Sequence, residues 1–472
     1  MSEHPTDAEA FGHSLSPYRV VIIGGGVSGA LTAVHLLRQS RHCLSVVIVE
    51  PRQDIGLGLA YSTACDDHLL NVPAAGMSAL ADEPEHFLDF ARRHLKQVQP
   101  VDFLSRKFFG FYIRSLLAEV LENASEPAHS FTHVQDLVRD MERCGDVYKL
   151  SLAGGEDIIA DTVVLALGNL PGRRPNWLHE LPLEDRHYIH DPWSRERWSQ
   201  VQTAGADILI VGTGLTAVDK VLELTKETLN GPRRIVALSR HGLLPRAHLA
   251  LPELNVPPLA LPENTALAAL HYLKRQAGQK ADWRLAVDGV RACTQEFWKH
   301  LPVMQKRSFL RHLQTYWDVH RHRMAPSIAD YIKGLQGSGR LQVVAGRLEM
   351  MKLSADGRRV DVVLAHRGGT KFEPFSVDLV VNCCGPQSTP RAIDCPFLTR
   401  LYERGMVVAN DTNSGIKVDG LEVLDGAGHS SRNLYALGPL LKGALLESVA
   451  VPEIRVQAQE LARLICQRAG KN

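Results

Sequence analysis

The sequence predicts an α/β protein of two Rossmann-like dinucleotide-binding domains, the first discontinuous in the chain and the second carrying a helical insertion. Two glycine turns and the residues after them carry that prediction. Gly24-Gly25-Gly26-Val27-Ser28-Gly29 and Gly212-Thr213-Gly214-Leu215-Thr216-Ala217 each follow an apolar run, 18–23 and 207–211, and each opens a segment with helical periodicity. In such a turn the first glycine permits the tight bend, the second lets a pyrophosphate approach the backbone, and the third lets helix and strand pack closely. The N–H groups at the helix start then face the anion. Gly24, Gly26 and Gly29 meet these needs in the first copy, with Val27 and Ser28 at the helix start; Gly212, Gly214 and Ala217 do so in the second, with Leu215 and Thr216. One such motif alone is often an ordinary tight turn, but two in register point to two nucleotides.

The end of the next strand separates the two ligands. The strand 44–50 ends in Glu50, 21 residues beyond Gly29, where a carboxylate accepts hydrogen bonds from a ribose diol and favours FAD or NAD. The strand 234–238 ends instead in Ser239-Arg240-His241, with no acid to repel a further phosphate, and Arg240 favours NADP. A charge-assisted hydrogen bond contributes about 1.5–3 kcal/mol, so exchanging acid for arginine shifts the preference by roughly one to two decades.

At 472 residues the chain has length for about three domains or for a discontinuous two-domain enzyme. A net charge of +1 gives no electrostatic reason to expect nucleic acid or an acidic membrane. No run of 18 apolar residues occurs and the acidic N-terminus lacks a signal-peptide core, so the chain reads as soluble and cytoplasmic. Eight cysteines occur without a C-x-x-C or C-x-x-x-x-C pair, which sets aside the flavin disulfide reductases that need a closely spaced dithiol. Cys383-Cys384 ends an apolar strand and reads as two small buried residues in preference to a redox pair.

Residues 1–17 read as a dispensable, disordered leader. A first domain is expected over 18–203 and 341–472, and a second over 204–340 with its helical insertion at 264–335. Amphipathic segments at 85–96 and 108–122 and a strand at 147–152 fall in the first domain. The apolar run 161–167 ending at Gly168, with Pro171 three residues on, marks the exit from it; 377–386 repeats that pattern and marks the return. The strand 433–437 ends at Gly438, with Gly443 and a helix-like segment from Leu445 after it. In two-dinucleotide flavoproteins that strand meets the flavin, and the following helix start aims N–H groups at the ring. The insertion is densest in Arg, His and Trp at 309–323; His320 and His322 are two apart, do not share a helical face and lack metal-ligand spacing, so no metal is expected. A solvated basic face and a grip on a phosphate or carboxylate substrate stand as equal readings of that segment.

Tyr61-Ser62-Thr63, 68–74, 210–216, 238–246, 316–323 and Ala450-Val451-Pro452-Glu453-Ile454-Arg455 together resemble a large bacterial family of FAD/NAD(P)-binding proteins. That family includes the aspartate N-monooxygenases that form nitrosuccinate, and it is similar in architecture to the single-component flavin monooxygenases. The resemblance spans about 18–467. Tyr188-Ile189-His190-Asp191-Pro192-Trp193 is similar in part to the histidine-aromatic segment that class carries ahead of its second nucleotide turn, but the full Baeyer–Villiger signature is absent. Gly438-Pro439 departs from the Gly-Asp of many two-dinucleotide reductases, which implies that FAD is held more by backbone.

The resemblance implies that NADPH, at 212–217 and gripped by Ser239 and Arg240, reduces FAD held by Gly24, Gly26, Val27, Ser28, Gly29, Glu50, Gly168, Gly438 and Leu445. With dioxygen, a flavin hydroperoxide then oxygenates a small nucleophilic substrate such as the amine nitrogen of an amino acid or other carboxylate. Such a site excludes water and supplies hydrogen-bond donors. The donor candidates are Asn71, His190 and N–H groups at 443–445; against these stand a loop-capping role for Asn71 and an ordinary turn role for His190. Two rivals remain, an NADPH-dependent flavin reductase passing electrons to another acceptor, and a non-enzymatic flavin-binding redox partner docking through 309–323. Substrate identity and oligomeric state are not written in the chain.

Overall fold

The computed structural model describes residues 17–471 apart from 124–128, 173–174, 176–177, 179–181, 183–184, 227–230, 251–255, 263–264, 280–281, 367–368 and 370–372. The expected leader therefore lies outside the described residues except for Pro17. Two sheets organise the rest. The first runs Ser130–Val134, Leu44–Val49, Tyr18–Ile23, Thr162–Leu165 and Ser430–Ala436, all parallel, then continues into antiparallel edge strands Glu422–Leu424 and Val418–Asp419. The second runs Leu341–Ala345, Arg234–Ser239, Asp207–Val211, Leu379–Asn382 and Tyr188–Ile189, parallel throughout.

Both sheets are covered on both faces, which is why their central strands read as nearly unbroken β-branched and apolar runs and not as an alternation. Helix Val27–Gln39 is buried from Val27 through Leu37, more than an amphipathic stripe, because helices Arg106–Asn123 and Val451–Ala469 also pack on it. In the second unit, helices Leu215–Lys226 and Pro326–Gly337 pack on one sheet face. A three-stranded antiparallel sheet of Arg347–Leu353, Val360–Ala365 and Phe375–Val377 contributes Met351, Val360, Val362 and Leu364 to the core on the other. The first unit carries an equivalent sheet, Val138–Cys144, Val147–Leu152 and Asp157–Ala160.

The expected domain limits require correction. Strands within 341–382, assigned to the return of the first domain, build the second: Ile235 pairs with Leu341 and Ile208 with Leu379. Tyr188–Ile189, assigned to the first domain, is its edge strand, paired to Val380 and Val381. Physically, the strand after a crossover helix lies parallel and adjacent to the strand before it, so Pro326–Gly337 commits Leu341–Ala345 to the second sheet. Helices Ala266–Gln279, Trp283–Gly289, Thr294–His300, Val303–His312 and Gln314–Arg321 fill the expected insertion.

Candidate functional site

Gly24 has φ +105° and donates its N–H to Val49 O (2.9 Å); a Cβ there would lie 2.4 Å from Ala166 O. Gly212 has φ +122° and donates to Leu238 O (2.7 Å); a Cβ there would lie 2.1 Å from Cys383 O. Each turn is therefore wedged between two strand ends where only glycine fits. Gly26 caps helix Val27–Gln39 without a side-chain hydrogen bond, so the first-turn N–H groups of Val27, Ser28 and Gly29 have no intrahelical acceptor. Leu215, Thr216 and Ala217 occupy the equivalent turn, with Val218 N–H returning to Gly214 O (3.1 Å).

The residues after each turn take different parts. The Glu50 carboxylate accepts from Gly25 N–H (2.9 Å) and Arg52 N–H (3.2 Å) and is half-buried beside the turn. Ser239 Oγ accepts from Gly242 N–H (3.0 Å) and lies 2.8 Å from Thr213 Oγ1, whose proton goes to Leu243 O (2.6 Å). Arg240 stands exposed on the rim of that loop.

The far strand of the first sheet comes to the first turn. Gly438, at φ +74°, would put a Cβ 2.9 Å from Ser28 Oγ, and its N–H donates to the buried Gln457 (3.0 Å). Pro439 opens a short 3₁₀ turn, Gly438–Leu441, where its missing N–H costs nothing. Gly168, at φ +66°, has open space around it, as does its counterpart Gly385 at φ +80°. Leu445 packs on the first core, with its N–H on Leu441 O (2.9 Å) and its carbonyl accepting from Gly443 (3.1 Å).

Asn71 lies at the meeting of the two units, in a crevice with Arg106, Asp219, Arg323 and Met324, and its carbonyl accepts from His248 Nε2 (3.0 Å). His248 sits against Phe103 (4.9 Å between rings), and burial lowers its pKa to about 3. His190 follows the edge strand Tyr188–Ile189 of the second sheet. Its Nε2–H donates to Gly172 O (2.9 Å), which leaves Nδ1 to accept from Tyr188 OH (3.1 Å). Both ring nitrogens are thus committed.

The basic segment 309–323 divides: Arg311 and His312 are exposed, whereas its last two arginines are not. Arg321 and Arg323 are 7% and 3% exposed, and their partners are internal: Glu447 and Glu453 for Arg321, Asp288 for Arg323. Between them, burial and the neighbouring Arg321 hold His322 at about 4, and burial pushes the Asp318 carboxyl up to about 6 against the pull of Lys442. The Cys383 thiol is buried and pushed well up by that burial, which disfavours the thiolate that redox exchange needs.

Sequence reasoning missed the contacts that join the units. Arg106 forks onto Asp219 (2.6 and 3.2 Å) with both side chains largely buried, and His68, fully buried, donates Nε2–H to Asp219 O (3.1 Å). Lys220 reaches Glu223 (2.6 Å) and stands over Trp193 at 4.4 Å. A signal was present: Asp219 is four after Leu215 and three before Leu222, so an acid sits on the apolar stripe of its helix.

Residues 21–170 match the family model described as FAD-NAD(P)-binding. No protein of curated function matches the sequence. Among solved structures, the chain is similar to the cadaverine monooxygenase of Erwinia amylovora, solved with FAD (TM-score 0.64, 13% identity, covering 96% of this chain and 96% of that one). It is also similar to the ornithine N-hydroxylase of Kutzneria sp. 744, solved with reduced FAD, NADP+ and L-ornithine (TM-score 0.62, 16% identity, 96% and 100%). A third, the bacillithiol disulfide reductase of Bacillus cereus, has TM-score 0.52 and 14% identity over 96% and 100%. These likenesses establish the two-unit α/β fold, and the third shows that the fold hosts more than one chemistry.

Proposed function

We propose that the chain is an FAD- and NADPH-dependent monooxygenase of the N-hydroxylating type, acting with dioxygen on the amine nitrogen of a small molecule. An amino acid or other carboxylate is the finer proposal for the substrate. The observation that carries the reading is the unlike residues beyond two otherwise matching turns, the acceptor Glu50 on Gly25 and Ser239 with the donor Arg240 beside Thr213. The solved N-hydroxylases of this fold support the reaction class, and the resemblance in sequence supports the substrate class.

The residues present fit FAD. Gly24 and Gly29 keep the first turn free of side chains, Glu50 stands at the ribose position, and Gly438 brings the far strand end against Ser28. Bound FAD would supply hydride acceptance from NADPH and oxygen transfer to nitrogen. Val27, Ser28 and Gly29 then offer N–H groups to the pyrophosphate, and Gly168 and Leu445 border the ring. Gly212, Gly214, Leu215, Thr216 and Ala217 hold the second pyrophosphate, while Ser239 shapes the loop that presents Arg240 to a 2′-phosphate. Asn71 is the side-chain donor we retain; His190 serves to fix the edge strand. Asp318 feels the charge of Lys442, which precedes the 443–447 loop, and the two opposite charges suit an amino acid's ammonium and carboxylate. Such an enzyme would work in the cytoplasm.

Anaerobic mixing of the purified protein with NADPH or NADH, followed by oxygen, tests the reading. Bleaching of bound flavin much faster with NADPH, a transient absorbance band on aeration, and a hydroxylated amine as product would support it. Flavin reduction with no oxygenated product from any amine would favour the reductase, and a flavin that neither nucleotide reduces would end the enzyme reading.

A further inference from the structure

The loop between strand Ser430–Ala436 and helix Val451–Ala469 belongs to the first unit, yet the second unit's insertion holds it. Trp298 Nε1–H, from a side chain 1% exposed, donates to Gly443 O (3.0 Å). Gln295 accepts from Leu446 N–H (3.3 Å) and donates to Glu447 O. Arg321 forks onto both carboxylate oxygens of Glu447 (2.9 and 3.0 Å), and Glu447 is itself only 6% exposed. Arg321 also reaches Glu453 (3.4 Å), which Arg291 holds at 2.8 Å.

A segment without regular hydrogen bonding keeps the shape its partners impose. Gly443 is at φ +85°, and a Cβ there would overlap Thr412 Oγ1, so the loop already departs from any conformation a generic sequence would choose. Burying apolar area would need no guanidinium at this place, whereas a two-pronged arginine fixes both the position and the orientation of its carboxylate.

We infer that Arg321 is a positioning residue for the flavin site: through Glu447 it sets the aim of the 443–447 backbone and couples the flavin environment to the second unit. The inference rests on the reading of the chain as an FAD protein. The N–H groups of Gly443, Leu445 and Leu446 are spent on Leu445 O, Leu441 O and Gln295 Oε1, so the loop acts on the flavin through the placement of its peptide dipoles and side chains, which those bonds and the Arg321–Glu447 fork fix together. Drift of this loop therefore loosens FAD and lowers its reduction potential without altering either nucleotide turn.

The test uses full-length Arg321→Met, Arg321→Lys and Glu447→Gln proteins, read by FAD dissociation constant, visible flavin spectrum, midpoint potential and KM for NADPH. For Arg321→Met we expect FAD held about tenfold more weakly, by loss of the paired charge-assisted bonds, with a shifted flavin band, a lower potential and an unchanged KM for NADPH. Arg321→Lys, which keeps charge but not the fork, should recover part of each change. Glu447→Gln, which keeps the shape of the contact and weakens it, should move the same readouts less and reports if Arg321→Met does not fold. Wild-type spectrum, potential and FAD affinity in variants with lowered Tm would overturn the inference and leave Arg321 a structural residue. Failure of the wild-type protein to bind FAD at all would overturn the functional reading first, and this inference with it.

Discussion

The two nucleotide units of this chain follow one plan with different tolerances. In each, a strand, glycine turn and helix lead to a second and a third parallel strand, a three-stranded antiparallel sheet intervenes, and a fourth strand returns beside the first. In the first unit the third glycine position is absolute, since a Cβ on Gly29 would lie 2.0 Å from Gly24 O. In the second, Ala217 fills that position and is buried. The fifth strand differs too: Ser430–Ala436 comes from the C-terminal return in one unit, Tyr188–Ile189 from ahead of the turn in the other. The first turn is thus met by a later strand end, Gly438 against Ser28, while Arg240 beyond the second stands exposed. This contrast fits a resident cofactor in the first and an exchanging one in the second.

The largest way to break this arrangement is to separate the units. Arg106→Met leaves Asp219 buried and unpaired, which should cost about 3–5 kcal/mol, and calorimetry should show one transition becoming two. Next, Gly29→Ala should destabilise the first unit by about 3 kcal/mol through forced opening of the turn and abolish flavin retention. The mirror change Ala217→Gly should cost only about 1 kcal/mol and leave flavin content as in the wild type; equal losses from both would erase the distinction. Arg240→Ala should raise the KM for NADPH by roughly ten- to a hundredfold, the worth of one charge-assisted hydrogen bond, while leaving NADH untouched.

The dependence on pH again separates the units. His35, the ninth residue of the first nucleotide helix, is buried, and its pKa is lowered to about 4 by that burial and by the nearby Arg38. Its counterpart in the second helix is Glu223, which is paired with Lys220. A histidine kept neutral in the folded state contributes stability that is present above its unfolded pKa of about 6.5 and is lost as pH falls from there through 4. The loss should reach about 3 kcal/mol near pH 4, and His35→Gln should flatten it in urea melts at pH 7, 5.5 and 4. Asp318 runs the other way, because a carboxyl raised to about 6 favours the folded state less as pH climbs from 4 through 6. It therefore softens the acid loss.

Much of this was legible in the sequence. Tyr18–Ile23, Leu44–Val49 and Asp207–Val211 are runs whose apolar continuity follows from burial on both faces, and the turns after Ile23 and Val211 announce themselves by glycine spacing. The allegiance of Leu341–Ala345 and Leu379–Asn382 was misread because a strand's composition reports its burial and not its neighbour; the crossover rule applied to Pro326–Gly337 would have placed the first of them. The burial of Arg321 and Arg323 was not legible, because a charge in a helix does not name its partner, and Glu447 and Asp288 are 126 and 35 residues away.

By itself, then, the sequence determined the two turns, the acid after one and the arginine after the other, and the strands that carry them, because glycine conformation and apolar periodicity act over a few neighbouring residues. Only the tertiary structure decided which sheet each later strand joins, that His190 is spent on Gly172 and Tyr188, and that Arg321 of the insertion clamps Glu447. Those outcomes depend on pairings across long stretches of chain, where burial forces each charge and each strand edge to find a partner that no local pattern names.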